Sequence, residues 1–558
     1  MKLNKTYKSS TKWIAGIITV ISVGLFSFQD SYFEVSKNLD IFVSVYKNVN
    51  TYYVDETQPG DLMKTGIDAM LKKLDPYTVY YPESDIEDYR FMTTGQYGGI
   101  GSLISRKDGF VIISEPYENF PADKAGLRAG DIILKVDGKP AKGKSTSEIS
   151  SFLKGEPNTN LVLTIERYGE DAPRDVTVTR EEIKIKDVPY YGLAQEKTGY
   201  IKLNGFTETA SAEVKSALMD LKQQYQIENL VLDLRNNGGG LLREAVNIVG
   251  LFAPVGTKVV ETKGKLTDWN QTYFTTAPPV DTAINLVVLI NGASASASEI
   301  VSGTIQDLDR GVIIGSNSFG KGLVQQTRDL KYNSKMKLTV AKYYIPSGRC
   351  IQRLDYSHKD ENGKAMTVPD SLRKEFKTKG GRLVLDGAGI EPEIKVEGPI
   401  ASPILISLVQ KQLIFDYVTQ YRSNNDSIAS ASEYQMSDAE YLEFKEYLKD
   451  KDYDYSTETE KLLKRLEKAA EEEKYADQIQ EDLKGLEDAI FMNKAKDLDL
   501  FQDQIKRYMS GEIVTRYHYQ NGRIEHDMHF DEDMIEAKKI LGDSKVYSSI
   551  LNGTYSAK

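Results

Sequence analysis

The sequence predicts a multidomain α/β protein, and three changes of texture along its 558 residues carry that prediction. Short β-type runs punctuated by glycine occupy Gly95 to about Arg180. From about Ile183 to Val396, apolar strands such as "NLVLDL" and "INLVVLI" each lead through a small-residue turn into a helical pattern. That alternation implies a layer of parallel strands. Beyond Pro399 the chain becomes charge-rich and helical. The implied boundaries are 1–31 for a targeting or anchoring segment, 32–92 for a helical N-terminal region, 93–182 for the β-rich module, 183–399 for the α/β core and 400–558 for a helical accessory domain.

At the N-terminus, Lys2, Lys5, Lys8 and Lys12 precede the 16-residue apolar run Trp13 to Phe28, after which Gln29 and Asp30 appear. A basic flank, an apolar stretch and then polar chain is the pattern of a secretory signal or a membrane anchor with its positive end inside. The run is short beside the roughly 20 residues of a relaxed spanning helix. No small-x-small cleavage site stands out, so an anchor is preferred, with cleavage left open. From Val35 to about Tyr89 the pattern is helical. Leu39, Phe42, Val43, Tyr46 and Val49 form one apolar face and Met63, Ile67, Met70, Leu71 and Leu74 another, until "DPYTVYYP" breaks it.

In the β-rich module, "YGGIGSLI" sets three glycines around an isoleucine just before a strand. Consecutive N–H groups in such a turn can converge on a carboxylate, and the strand edge beside it can accept an extended peptide. Together with "ENFPADKAGLRAGDIILKVDGKPA" the module resembles a PDZ domain, with Ala125, Gly126, Leu127, Gly130 and Asp131 at the most characteristic positions. The resemblance implies recognition of free protein C-termini by the backbone of Gly98, Gly99, Ile100 and Gly101; a PDZ fold that only braces its neighbour is the rival.

In the α/β core, "NGASASASEI" offers three candidate nucleophiles, Ser294, Ser296 and Ser298. The "SASE" stretch Ser296–Glu299 also fits a capping box, and a nucleophile at a helix start would look much the same. The base narrows the choice. All four histidines, His358, His518, His526 and His529, follow the serines, the last three deep in the accessory domain, so a Ser-His-Asp triad is hard to build. "EHDMH" reads as a polar, hairpin-like, solvated stretch in preference to a metal site. A lysine can act instead if burial lowers its pKa from about 10.4 towards roughly 7 to 8. Lys321 in "SNSFGKGLVQQ" is the candidate: Gly320 and Gly322 allow close packing, and Phe319, Leu323 and Val324 can line an apolar pocket.

"NGASASASEI" followed by "GSNSFGKGLVQ" resembles the C-terminal processing peptidases, or tail-specific proteases, of the S41 serine peptidase class. In that family nucleophile and lysine stand 25 positions apart, which here selects Ser296 with Lys321. The resemblance further implies that Gln325 orients the lysine and that the oxyanion hole is formed by the N–H of Ala297 and of one glycine in "LVLDLRNNGGG", Gly239, with the position uncertain by one. It also implies a ClpP/crotonase-like α/β protease core with the PDZ domain inserted ahead of it, and a PDZ domain whose position gates the active site. The likeness spans about Asp75 to Val396 and thins beyond Pro399.

The function expected is a serine endopeptidase of the bacterial cell envelope, on the periplasmic side and anchored in the inner membrane by residues 13–28. Its substrates are proteins or peptides with free C-termini, with no cofactor and no metal. A net charge of −11 argues against nucleic acid as a partner. The helical C-terminal domain is a solvated bundle along Leu463, Leu466, Ile479, Leu483, Leu486 and Ile490, or a surface for an adaptor or a second copy. Cys350, the lone cysteine, excludes an internal disulfide. A catalytically silent PDZ scaffold and a crotonase-like acyl-CoA enzyme are the rival functions.

Overall fold

The computed structural model describes residues 32–398, 400–494 and 496–555. The run Trp13 to Phe28 lies outside them, and among the described residues no helix is long and apolar enough to cross a membrane. The chain divides into two compact units, one of the residues up to Pro82 with Asp329–Lys337, the other of Glu83–Arg328 with Leu338–Lys558. In the smaller unit a helix over 32–52 (α1) and a helix over Pro59–Lys72 (α2) are joined by Tyr46, whose hydroxyl donates to Pro59 O (2.8 Å). "DPYTVYYP" ends the helical pattern because Asp75 accepts from the N–H of Tyr77 and Thr78, a turn that feeds a strand over Val79–Tyr81 paired with Lys335–Lys337.

The β-rich module of the larger unit is a sheet of β1 (Ser102–Lys107), β2 (Phe110–Pro116), β3 (Ile132–Val136), β4 (Asn160–Glu166) and β5 (Arg174–Thr179) in that order, with β1 at the edge. Helix α3 (Thr146–Leu153) lies beside β1 and starts from a complete capping box between Ser145 and Glu148. The "AGLRAGD" signature has a physical basis here. Gly126 and Gly130 take left-handed φ of 75° and 99°, and the buried Asp131 pairs with both Nε and Nη2 of Arg167 at 2.7 Å.

The core sheet runs β6 (Tyr191–Gln195), β7 (Thr198–Lys202), β8 (Asn229–Asp233), β9 (Asn285–Ile290), β10 (Val312–Gly315) and β11 (Ile394–Lys395) in spatial order, parallel from β7 onward. Its central strands β8, β9 and β10 are nearly all apolar and buried, because both of their faces are covered. Leu230, Leu232, Leu286, Val288 and Ile313 point into the cluster built by α4 (Ala210–Tyr225), α5 (Leu242–Gly250) and α6 (Ala297–Asp307). Val231, Val287, Leu289, Val312 and Ile314 point the other way, onto Met534, Ala537, Ile540, Tyr547 and Ile550.

Those last residues come from the far end of the chain. The C-terminal region folds as α7 (Pro403–Gln410), α8 (Leu413–Asn424), α9 (Asp438–Tyr447), α10 (Glu458–Glu472), α11 (Ala476–Lys494), α12 (Gln502–Asp527), α13 (Glu532–Gly542) and α14 (Ser544–Leu551). Helices α7 to α9 and the first half of α12 share their own core around Leu408, Val418, Phe444, Met509 and Ile513. Helices α13 and α14 instead cover the second face of the α/β sheet, so the helical C-terminal region both holds a core of its own and packs on the α/β core. Tyr547 fastens this layer: its hydroxyl donates to Leu286 O (3.1 Å) and accepts from Leu286 N–H (2.9 Å). The expected stripe on α10 and α11 is only half used, since Leu463 and Leu483 are buried while Leu466 and Leu486 are exposed. "EHDMH" is no hairpin either. It ends α12, and His526 is 1% exposed, its Nδ1 3.1 Å from Asp527 Oδ1.

Ile540→Ala should therefore destabilise the α/β core itself, by about 2–4 kcal/mol for an aliphatic side chain this deeply buried. Leu466→Ala on the exposed side of α10 should cost about 0.5 kcal/mol or less. Urea unfolding followed by tryptophan fluorescence separates the two; equal midpoints would place α13 outside the core.

Candidate active site

Three neighbouring parallel strands deliver the three motifs. β8 runs into "RNNGGG", β9 into "NGASASASEI" and β10 into "SNSFGKG", so the loops meet at the carboxyl ends of adjacent strands, where open α/β sheets place their sites. The serines then separate by their surroundings. Ser294 is fully buried and its hydroxyl donates to Leu234 O (2.9 Å); Ser298 is equally buried and donates to Asn237 O (2.8 Å). Both hydroxyls staple the loop after β9 to the loop after β8. Ser296, between them, is the partly exposed serine, and its backbone is held at φ 56°, ψ −110°. A left-handed φ at a serine is uncommon and costs conformational energy, a strain that concentrates at functional sites.

Glu299, read from the sequence only as a capping residue, joins the motifs. Its carboxylate is fully buried and takes four donors. Oε2 accepts from the N–H of Ser296 (2.8 Å) and of Lys321 (2.9 Å), while Oε1 accepts from Ser318 Oγ (2.5 Å) and from Gly320 N–H (2.7 Å). Ser296 and Lys321 are thus brought together through one oxygen atom. Burial raises the Glu299 carboxyl above its ordinary pKa, against the pull of these donors. Phe319 N–H adds a second tie between the loops, to Ser294 O (3.0 Å).

The glycines beside Lys321 are required by close approach. A Cβ at Gly320, where φ is 86°, would lie 2.5 Å from Arg353 Cβ, and one at Gly322 would lie 2.9 Å from Gln352 N. Gln352 in turn accepts from Gly322 N–H (2.7 Å). Leu323 is buried, Phe319 and Val324 are partly buried, and Gln325 Nε2 donates to Thr339 Oγ1 (3.2 Å), which fixes its carboxamide.

On the other side of Ser296 stands the glycine turn. Gly239 (φ 96°) lies so close that a Cβ would meet Ala295 O at 2.7 Å, Ala297 N at 2.8 Å and Ser296 Cβ at 2.9 Å. The expected pair Ala297 and Gly239 is therefore adjacent. Ala297 begins α6, and its N–H has no acceptor among the described residues. The N–H of Gly239, however, is donated to Asn237 Oδ1 (2.9 Å), so in this arrangement it is not a free oxyanion donor as expected. Asn237 is the buried keystone of the turn: Nδ2 donates to Leu203 O (2.8 Å) and its carbonyl accepts from Ala295 N–H (3.0 Å). Ahead of it, Asp233 is buried among Arg235, Lys202 and the Tyr200 hydroxyl. Burial alone would raise its carboxyl, but Arg235 and Lys202 outweigh that and hold it well below the usual carboxylate range. The "DLR" signal was present in the sequence beside the glycines, and only the fold gives it a role.

The histidines stay apart. His358 is exposed and bonds Asp355 (2.7 Å), His518 bonds Ala429 O (3.1 Å), and His526 bonds Asp527. In the β-rich module, Gly98 and Gly99 form a short strand with Glu181 and Glu182, and Ile100 is buried. Gly98 O accepts from Gly155 N–H (3.1 Å), Ile100 O from Ala122 N–H (2.7 Å) and Gly101 O from Tyr117 N–H (3.0 Å). The turn is rigidly tied at the head of edge strand β1.

Glu299→Gln keeps the shape but sets an NH2 group against two donors, so cleavage by the full-length protein should fall by about 100-fold or more. A rate within threefold of wild type would remove Glu299 from the site's support. Gly239→Ala should be comparably damaging, through displacement of Ser296 and Ala297, as read in the same assay.

The sequence model of peptidase family S41 matches residues 197–357, that of the PDZ domain matches 112–167, and one described as "Probable PDZ-protease, C-terminal helical domain" matches 404–541. A carboxy-terminal-processing protease of Bartonella bacilliformis is 37% identical over 57% of this chain and 73% of its own length. A probable CtpA-like serine protease of Staphylococcus aureus is 35% identical over 61% of this chain and 68% of its own. Among solved structures, a photosystem II D1 C-terminal processing protease aligns with 28% identity over 64% of this chain and 92% of that one, with a TM-score of 0.34. The two curated relatives carry the assignment: this chain belongs to the carboxy-terminal-processing serine proteases of peptidase family S41, with a PDZ domain and a C-terminal helical domain.

Proposed function

We propose that the chain hydrolyses peptide bonds in proteins of the bacterial cell envelope, with Ser296 as nucleophile and Lys321 as general base. The carboxylate of Glu299, shared by the backbones of both residues, is the observation that supports this pairing most directly. In the reaction Ser296 Oγ attacks the scissile carbonyl while its proton passes to a neutral Lys321 Nζ. The oxyanion lies at Ala297 N–H, at the positive end of α6. The Lys321 ammonium then returns its proton to the leaving amine, and water attacking the ester releases the acyl group and restores the serine. Gln325, fixed by Thr339, orients the amine.

Substrate C-termini enter the PDZ domain as an added strand on the outer edge of β1, beside α3, with the terminal carboxylate at Gly98–Gly101. The basic flank and apolar run of residues 2–28 support anchoring at the periplasmic face of the inner membrane.

Ser296→Ala and Lys321→Ala should each abolish cleavage and leave peptide binding to the PDZ domain nearly unchanged, as read by gel-monitored proteolysis and fluorescence anisotropy. Full activity in either variant would overturn the dyad. Amidating the substrate's C-terminus should slow cleavage by about tenfold, the worth of one charge-assisted hydrogen-bonded contact; equal rates for free and amidated peptides would overturn PDZ-led recognition.

A further inference from the structure

We propose that Asp531 and Asp533, at the start of α13, are positioning residues for the glycine turn that faces Ser296; the inference rests on the Ser296–Lys321 reading. The link is Arg235, the residue between the end of β8 and the turn Asn236–Gly240. Its guanidinium is divided among three carboxylates. Nε and Nη2 reach the Asp233 carboxylate at 3.0 and 2.6 Å, while Nη1 donates to Asp531 Oδ1 and to Asp533 Oδ2, both at 2.8 Å. The Arg235 carbonyl accepts from Lys202 Nζ (2.8 Å), so backbone and side chain of this residue are both held. Immediately after it Asn236 turns left-handed, with φ 62°; its backbone N–H donates to Asn291 Oδ1 of the nucleophile loop and its Oδ1 accepts from Asn291 Nδ2, and Asn237 then pins Gly239 against Ala297.

The acids are as well fixed as the arginine. Asp531 caps α13, accepting from Met534 N–H (3.1 Å), and α13 is packed on the catalytic sheet through Met534, Ala537 and Ile540. Side chains 15%, 19% and 18% exposed for Arg235, Asp531 and Asp533 place these pairs beyond the reach of most solvent screening. All three line a cavity of about 720 Å³ with Asn236 and Asn291. Asp233 holds Nε and Nη2 while the two carboxylates of α13 hold Nη1, so the guanidinium is fixed from both sides beside that space. The C-terminal helices thereby supply part of the support of the catalytic turn.

The test is the full-length double variant Asp531→Asn/Asp533→Asn assayed on a free C-terminal peptide. Asparagine caps a helix about as well as aspartate, so α13 keeps its start while Nη1 loses both charges. We expect kcat to fall about 10- to 100-fold, the scale of a misplaced catalytic backbone donor, with KM within about threefold. Asp533→Glu alone, which keeps the charge, should stay within about threefold of wild type. Wild-type kcat in the double variant, or a loss matched by the loss of folded protein in thermal unfolding, would overturn the inference. Ser296→Ala assayed alongside separates the two readings: a dead serine variant beside a fully active double variant sinks only the positioning role, and an active serine variant sinks the nucleophile.

Discussion

A single carboxylate, that of Glu299, holds the candidate site together. It sits in the first turn of α6 with no solvent exposure and is met by three backbone N–H groups and one hydroxyl. Buried polar groups are tolerated only when satisfied, and here the satisfaction is mutual. The carboxylate needs the donors, and the donors belong to the two loops that must meet for a serine–lysine pair to work. A tight, fully paired network of this kind has few alternative arrangements, which is why it can set the spacing of Ser296 and Lys321. The left-handed backbone of Ser296 is the local strain that this network retains.

The sheet beneath explains why the loops converge at all. Strands β8, β9 and β10 are neighbours and parallel, so their carboxyl ends open on one edge, and Asp233 and Lys321, 88 positions apart in sequence, fall in one small region. Parallel strands need cover on both faces. One face is covered by the helices that connect the strands; the other is covered by α13 and α14, more than two hundred residues later in the chain. The C-terminal region is thus two things at once. It contains a helical core of its own, and it closes the catalytic one.

Helix α12 joins these parts physically. Its path breaks at Tyr519, with φ 55° and ψ −162° inside the helical run, and the Tyr519 hydroxyl donates to Asp123 of the PDZ domain (2.7 Å). Just before the break, Arg516 Nη1 donates to Ser114 O (3.3 Å) and its guanidinium stacks on Phe415. Beyond the break lie Asp531 and Asp533. The PDZ domain, the helical core and the glycine turn are therefore connected through α12 and the start of α13.

Much of the candidate site was legible in the sequence. Strand–turn–helix alternation, the glycines flanking Lys321 and the 25-residue spacing are local patterns, and local patterns survive in one dimension. Ser296 could be preferred over Ser294 and Ser298 only by resemblance. Their burial and their bonds to Leu234 and Asn237 depend on the neighbouring strand, so the physical choice among three like residues belongs to tertiary structure. The same holds for Glu299, whose capping signature concealed three partners 19 to 22 positions away, and for Gly239, whose N–H is engaged by a side chain two residues earlier. Charge and helical period made residues 400–558 look uniform, because amphipathicity says that a face is buried but not against what. By itself the sequence determined the chemistry available and the strands that carry it. Only the folded chain decided which hydroxyl stays open, which carboxylate binds the loops and which distant helices complete the sheet, since these depend on contacts between segments far apart along the polypeptide.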